Sequence, residues 1–190
     1  MRLTREETQR QTRDKLLAAA HSSIVEEGVA AMSIRNISEL KSLIKRGDRL
    51  LGLDVGEKTI GLAIADATLS IATPLETIRR TKFTKDAEEL FKIVDGRGVG
   101  ALVIGLPLNM DGSEGPRCQS VRQFAANLLK KREIEIAFWD ERMSSMAVNR
   151  MLISEADVSR ARRAEVVDRM AAAYILQGAL DRVRDQATWV

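Results

Sequence analysis

From Arg49 onward the apolar positions fall into short runs separated by polar turns, and the pattern predicts alternating strands and helices. "RLLGLDVG" and "TIGLAIAD" read as two strands joined by a tight polar turn, and "SIATPLETIRR" as a third, with Pro74 marking an edge or a bulge. "TKDAEELFKIVDGRG" has helical spacing, with Thr84 as the expected cap and a stop near Gly96 to Gly98. "ALVIGLP" is a continuous apolar run bounded by Gly and Pro, which fits a fully buried strand. A polar, Gly-rich loop follows in "LNMDGSEGPRC", then a helix in "QSVRQFAANLLKKRE" and a strand in "IEIAFWDE" that ends in two carboxylates. "SSMAVNRMLISEA" reads as a helix opened by Ser144 or Ser145, and "RRAEVVDRMAAAYILQGALDRVR" as a long closing helix. A meander of three strands followed by alternating helices and strands predicts an α/β fold, a mixed five-stranded sheet with helices on its faces.

Residues 1–46 follow another pattern and read as an N-terminal helical extension. Leu16, Leu17, Ala20, Ile24 and Val25 fall near helical spacing, with Gly28 as the stop. "SIRNISELKSLIKRGD" reads as a second, shorter helix capped by Ser33 and ended by Gly47. The predicted organisation is therefore an extension over 1–46, a domain over 47–186 and a short tail over 187–190. Met32 offers an alternative start within the extension.

Composition narrows the function classes. A chain of 190 residues suffices for one well-buried domain with an appendage. The formal net charge of +3 is modest, but "IRRTKFTK", "LLKKRE" and "SRARRAE" concentrate positive charge locally, and clustering matters more than the total. One cysteine, Cys118, excludes an internal disulfide, and with His21 as the one histidine no Cys/His metal set is possible. A reducing cytoplasm is the expected compartment. The charged N-terminus lacks an apolar signal core, and no apolar run is long enough to span a bilayer.

Against this background three acidic positions stand out, because each lies where an acid is costly. Asp54 ends an apolar strand between Leu53 and Val55; Asp140 and Glu141 end "IAFWDE"; Asp168 shares a helix face with Ala164, Ala171, Ala172, Ile175 and Ala179. Carboxylates in such surroundings must be paired, hydrogen-bonded or metal-bound. Several of them converging would repel one another, and a hard divalent cation with oxygen ligands resolves the repulsion. Two such ions roughly 4 Å apart can clamp the attacking water and the leaving oxygen of a phosphodiester.

Four segments, "LGLDVGEKTIGLAIAD", "VIGLPLNMDGSEGP", "WDERMS" and "RRAEVVDRMAAAYILQ", occur in an order that resembles the YqgF family, also called RuvX or the Holliday junction resolvase family. The resemblance covers residues from about 49 to 184 and implies a ribonuclease-H-like fold. It also implies nuclease activity in maturing the 5′ end of the precursor of 16S rRNA. In its terms Asp54, Glu141 and Asp168 are the catalytic acids, and they bind Mg²⁺ or Mn²⁺ together with Asp140. Which of Asp140 and Glu141 touches metal stays open in the match; strand alternation sends them to opposite faces, and Glu141 is favoured.

Other residues are expected to hold the substrate. Lys58 and Arg142 lie near the carboxylates in motif terms and suit a phosphate, Arg better through its planar fork. Asn109 and Gly112 belong to "NMDGSEG", read as a lid over a strand. Arg160, Arg162 and Arg163 precede the last helix and offer a sequence-independent grip on a nucleic-acid backbone. Phe138 and Trp139 read as core, so stacking on bases is not expected. The expected partners are the precursor of small-subunit rRNA, ribosome-assembly intermediates or branched DNA, with no membrane, and with monomer or homodimer both open.

Rival classes make different demands. "DVGEKTIGLA" alone also resembles the phosphate loop of actin-like and sugar kinases, but the chain is too short for their two lobes. "TRDKLLAAAHSSIVEEGVAAMSIRNISE" faintly resembles the start of tetracycline-repressor-like regulators, yet no turn and recognition helix follow "SIRNIS". A non-catalytic RNA-binding assembly factor would not need all three acids.

Overall fold

The computed structural model describes residues 34–35, 40, 45–143 and 160–187, with side chains over 40, 45–142 and 167–184. The predicted helices within residues 1–33 and 144–156, together with His21 and Met32, lie outside the described residues.

The apolar runs around Asp54 form the centre of the sheet. Strands β2 (Arg49–Val55) and β3 (Thr59–Ala65) pair antiparallel, with Leu51 opposite Ile64 and Asp54 opposite Gly61. Leu50, Leu51, Leu53, Ile60 and Leu62 are all buried, so both faces of this hairpin are covered, and that explains why the two strands do not alternate polar with apolar. Strand β4 (Ala72–Arg79) completes the meander with an irregularity between Gly61 and Ala63, where Pro74 sits opposite Ala63. It ends the sheet, as a strand containing proline must.

Helix α1 (Phe83–Arg97) leads into β5 (Val99–Leu106), which runs parallel to β2; helix α2 (Pro116–Lys131) leads into β6 (Glu135–Asp140), parallel to β5. A single 3₁₀ turn, Glu141–Met143, follows β6, and α3 (Arg160–Ala187) closes the described chain. The five expected strands are present in a mixed sheet. A sixth, β1 (Ile34–Arg35), pairs parallel to β6 and gives the order β1-β6-β5-β2-β3-β4.

Three local expectations are corrected. Ile34–Arg35 is strand, not helix, because β6 offers it an unpaired edge. Lys82, not Thr84, occupies the N-cap of α1 and makes no side-chain cap bond. The buried Asp86 instead accepts hydrogen bonds from the Thr81 amide (3.0 Å) and hydroxyl (3.2 Å). The stop of α1 is as expected: Gly98 takes a left-handed conformation, φ 65°. Finally, α2 starts at Pro116 rather than Gln119, since proline lacks only an N–H that the first turn would leave unpaired anyway.

The sheet separates two apolar layers. Leu51, Leu53, Leu62, Leu102, Ile104 and Ile136 face α1 and α2, whose Leu90, Val94, Phe124 and Leu128 they meet. Leu50, Ala63, Ala101, Val103 and Ala137 face α3, which presents Ala172, Ile175, Leu176 and Ala179; Leu40 joins this layer. Small residues on both sides let α3 lie close to the sheet. Among the described residues no helix is long and apolar enough to cross a membrane.

Candidate active site

Alternation along β2 sends Leu50, Gly52 and Asp54 toward α3, since Leu50 belongs to the α3 layer and a Cβ on Gly52 would meet Leu176 and the Ala172 carbonyl. Across the hairpin from Asp54 stands Gly61. A Cβ there would collide with the backbone carbonyl of Asp168, so the absence of a side chain is what admits α3 at this point. The Thr59 hydroxyl then donates to Asp168 Oδ2 at 2.7 Å.

The other flank is built similarly. Leu53 pairs with Ile104, which places Gly105 beside Asp54 in the parallel register. A Cβ on Gly105 would collide with the carboxylate of Glu141. On β6, Ala137 and Trp139 belong to the α3 layer, whereas Ile136 and Phe138 belong to the opposite one. Glu141 thus continues the α3 side, and Asp140 the other.

The electrostatics follow this placement. Burial pushes the Asp54 carboxyl up to about 6; the neighbouring charge of Asp168 adds to the rise and Arg117 opposes it. Burial likewise pushes Glu141 up to about 7, with Asp54 and Asp140 adding to it and Arg117 again opposing. Asp54 therefore lies within the field of Asp168 on one side and of Glu141 on the other.

Asp140 has a different environment. Arg142 grips it through Nε, at 3.0 Å from each carboxylate oxygen, and through Nη2 at 2.6 Å, while the Arg142 amide donates to Oδ1 at 3.0 Å. These bonds hold the Asp140 carboxyl below its ordinary range. Arg142 also donates to the Met110 carbonyl at 3.4 Å, so it links the end of β6 to the 108–115 loop.

The remaining expected residues are dispersed. Lys58 is exposed in the β2–β3 turn. Asn109 is engaged in its own loop: its Nδ2 donates to Ser113 Oγ at 2.9 Å and its carbonyl accepts from Gly112, whose φ of 86° closes the turn. Arg160, Arg162 and Arg163 fall in the opening turn of α3, but their side chains lie outside the described residues. The cation that Asp54 and Glu141 both feel is Arg117, which the sequence reading did not single out. Its signal is the "GPR" step, legible once Pro116 is taken as the first helical residue, because Arg117 then falls in the first turn.

Among the described residues no group of three or more His, Cys, Asp or Glu side chains is gathered into a ready metal site. The donor chemistry nevertheless suits a hard divalent ion. Asp54 and Glu141 are oxygen ligands whose charged forms are disfavoured by burial and by each other, and a cation between them would relieve both costs.

Comparison with known proteins identifies the family. The family described as RuvX, Holliday junction resolvase, matches residues 48–182. Proteins named "Putative pre-16S rRNA nuclease" are similar over most of their length. The protein of Paramagnetospirillum magneticum is 65% identical over 150 residues, covering 79% of this chain and 96% of its own. That of Rhodospirillum centenum is 62% identical over 158 residues, covering 80% and 84%. That of Phenylobacterium zucineum is 61% identical over 155 residues, covering 81% and 99%. Among solved structures, RuvC of T. thermophilus in complex with Holliday junction substrate is a distant likeness, at 12% identity and a TM-score of 0.47, covering 72% of this chain and 96% of that one. With a family match over most of the chain and relatives this similar along nearly their whole length, this chain belongs to the RuvX family.

Proposed function

We propose that residues 47–186 form a divalent-metal-dependent nuclease domain that processes the 5′ end of pre-16S rRNA in the cytoplasm. Membership of the family makes the chain a phosphodiester-hydrolysing enzyme that acts on nucleic acid. The observation that carries the mechanistic reading is the position of Asp54, half-buried on the central strand between the fields of Asp168 and Glu141.

In this reading Asp54, Glu141 and Asp168 would hold Mg²⁺ or Mn²⁺, which when bound lowers the pKa of water and stabilises a leaving oxygen. The protein's own residues do the rest. Thr59 fixes the orientation of Asp168. Gly61 and Gly105, on the strands flanking Asp54, leave room there for the Asp168 backbone and the Glu141 carboxylate. Asp140 is assigned no ligand role; it orients Arg142, and through it the 108–115 loop. Hydrolysis adds water across the phosphodiester: a new P–O bond forms, the P–O3′ bond breaks, and the products are a 3′-hydroxyl and a 5′-phosphate.

The family's printed description favours a second reading, resolution of four-way DNA junctions by the same chemistry. One experiment separates the two. The purified protein and Asp54→Asn are incubated with a labelled pre-16S rRNA 5′ end and with a four-way DNA junction, each with Mg²⁺, Mn²⁺ or EDTA. Metal-dependent cutting of the RNA, lost in the variant, is the expected result. Cutting of the junction alone would reassign the substrate. RNA bound but uncut, identically by both proteins, would replace the enzyme reading with an assembly factor or a requirement for ribosomal intermediates. Sizing of the active species would decide between monomer and homodimer.

A further inference from the structure

Next to the carboxylates, a cleft of about 180 Å³ opens between the β2–β3 turn and the first turns of α2. Gly56 and Glu57 line it from the turn, Arg117 and Ser120 from the helix, and Arg80 from the end of β4. Its position is set by Asp54, because Val55 and Gly56 are the next residues along the chain and both line it.

The two guanidinium groups differ in how they are held. Arg80 is fixed in place: its Nη1 donates to the Gly56 carbonyl at 2.5 Å, its amide donates to the Lys58 carbonyl at 2.8 Å, and its guanidinium lies 5.7 Å from the centre of the Phe124 ring. A guanidinium has five N–H donors, so this one bond leaves others for a ligand. Arg117 shows no hydrogen bond or ion pair among the described residues, yet its charge reaches both Asp54 and Glu141. It therefore lines the cleft while its charge acts on both acids. Among the described residues Glu57, exposed, is the one carboxylate on the lining.

The chemistry of the lining selects its ligand. Two guanidinium groups and a hydroxyl favour an anion with several acceptor oxygens. The volume lies well below the roughly 300 Å³ at which small-molecule pockets begin, so a phosphate group fits and a whole nucleotide does not. Among the described residues no aromatic ring lines the cleft to stack a base. A phosphate on a nucleic-acid strand crossing Asp54 satisfies all three conditions.

We propose that this cleft is a phosphate subsite that takes the backbone phosphate adjacent to the scissile one, with Arg117 and Arg80 as its substrate-binding residues. The assignment rests on the nuclease reading for the direction of the strand. It does not depend on catalysis for its test.

The test is equilibrium binding in EDTA, where nothing is cut, of a labelled single-stranded RNA spanning the pre-16S rRNA 5′ end. Wild type, Arg117→Ala and Arg117→Lys are titrated at several salt concentrations, with thermal melts to establish folding. Arg117→Ala is expected to weaken binding roughly tenfold or more and to reduce the salt slope by about 0.7, one single-strand phosphate contact. Arg117→Lys is expected to restore the slope but only part of the affinity, since it keeps the charge and loses the fork. If Arg117→Ala melts abnormally, Arg117→Gln, which keeps the side-chain stem, takes its place. An unchanged affinity and slope in a folded variant that cuts poorly would overturn the subsite and leave Arg117 as an electrostatic brace for the acids. Weakened binding with a reduced slope, in a protein whose wild type cuts nothing, would support the subsite while removing the nuclease reading.

Discussion

Thr59 and Asp168 are 109 positions apart in the chain and joined by a 2.7 Å hydrogen bond from hydroxyl to carboxylate. The bond links β3 to α3 at the level of Asp54, and it fixes one of the three acids by a contact from outside the acid group itself. Thr59→Val, close in shape, removes the donor alone. Cleavage is expected to fall on the order of 10- to 100-fold, as it does when a catalytic group loses its position, while unfolding in urea shows a loss of only about 1 kcal/mol. Thr59→Ser is expected to recover most of the activity; equal loss in both variants would deny the hydroxyl this role.

The close approach of α3 makes a separate prediction about glycine. Gly61→Ala places a Cβ against the Asp168 carbonyl, so helix and sheet must separate. A destabilisation of about 1–3 kcal/mol is expected, with loss of cleavage as Asp168 moves away. Gly96→Ala, in the last turn of α1 with nothing within 4 Å of the added carbon, serves as the control and is expected to be neutral or stabilising. Thermal melts of the two variants, run side by side, check both halves.

The site also sets a pH dependence of stability in the metal-free protein. Asp54 is raised to about 6 and Glu141 to about 7, above their ordinary values of 3.8 and 4.5. Between those limits the folded chain keeps protons that the unfolded chain releases, so stability falls as pH rises. In EDTA the melting temperature is expected to decline from pH 5 to pH 7.5. Asp54→Asn should flatten that decline and melt higher than wild type at pH 7.5. Added Mg²⁺ should raise the wild-type melt at pH 7.5 and leave the variant's nearly unchanged, because only the charged acids gain a ligand.

The neighbours Asp140 and Glu141 are expected to behave differently. Glu141→Gln should abolish metal-dependent cleavage. Asp140→Asn should keep measurable activity, since it only weakens the grip on Arg142 and, through it, on Met110. Loss of cleavage in Asp140→Asn with retention in Glu141→Gln would reverse the assignment. Steady-state cleavage by each purified variant is sufficient to decide.

Much of this is legible in the sequence, for reasons that differ by element. The β2–β3 hairpin is readable because strands covered on both faces need unbroken apolar runs, and a carboxylate at the end of such a run is conspicuous. Asp168 is readable because its helix is lined with alanines. Long-range neighbours are harder. Arg117 lies in what reads as a Gly-rich loop, and its tie to Asp54 exists only once α2 is set beside the end of β2. The sequence reading places Arg142 on the substrate; its partner Asp140 is two residues away, and the 3₁₀ turn that folds it back leaves no periodic trace. β1 is two residues long, shorter than any hydrophobic period can register.

Asp54 lies on the strand at the sheet's centre, hydrogen-bonded between β3 and β5. Amides there are expected to exchange with solvent only through the global opening of the domain. Fraying of an edge strand or a loop would leave the acid in place. On the proposed reading, a folded copy of this chain keeps Asp54 in place at all times, so control over it would act on ion supply or a masking partner and not on the strand that bears this acid.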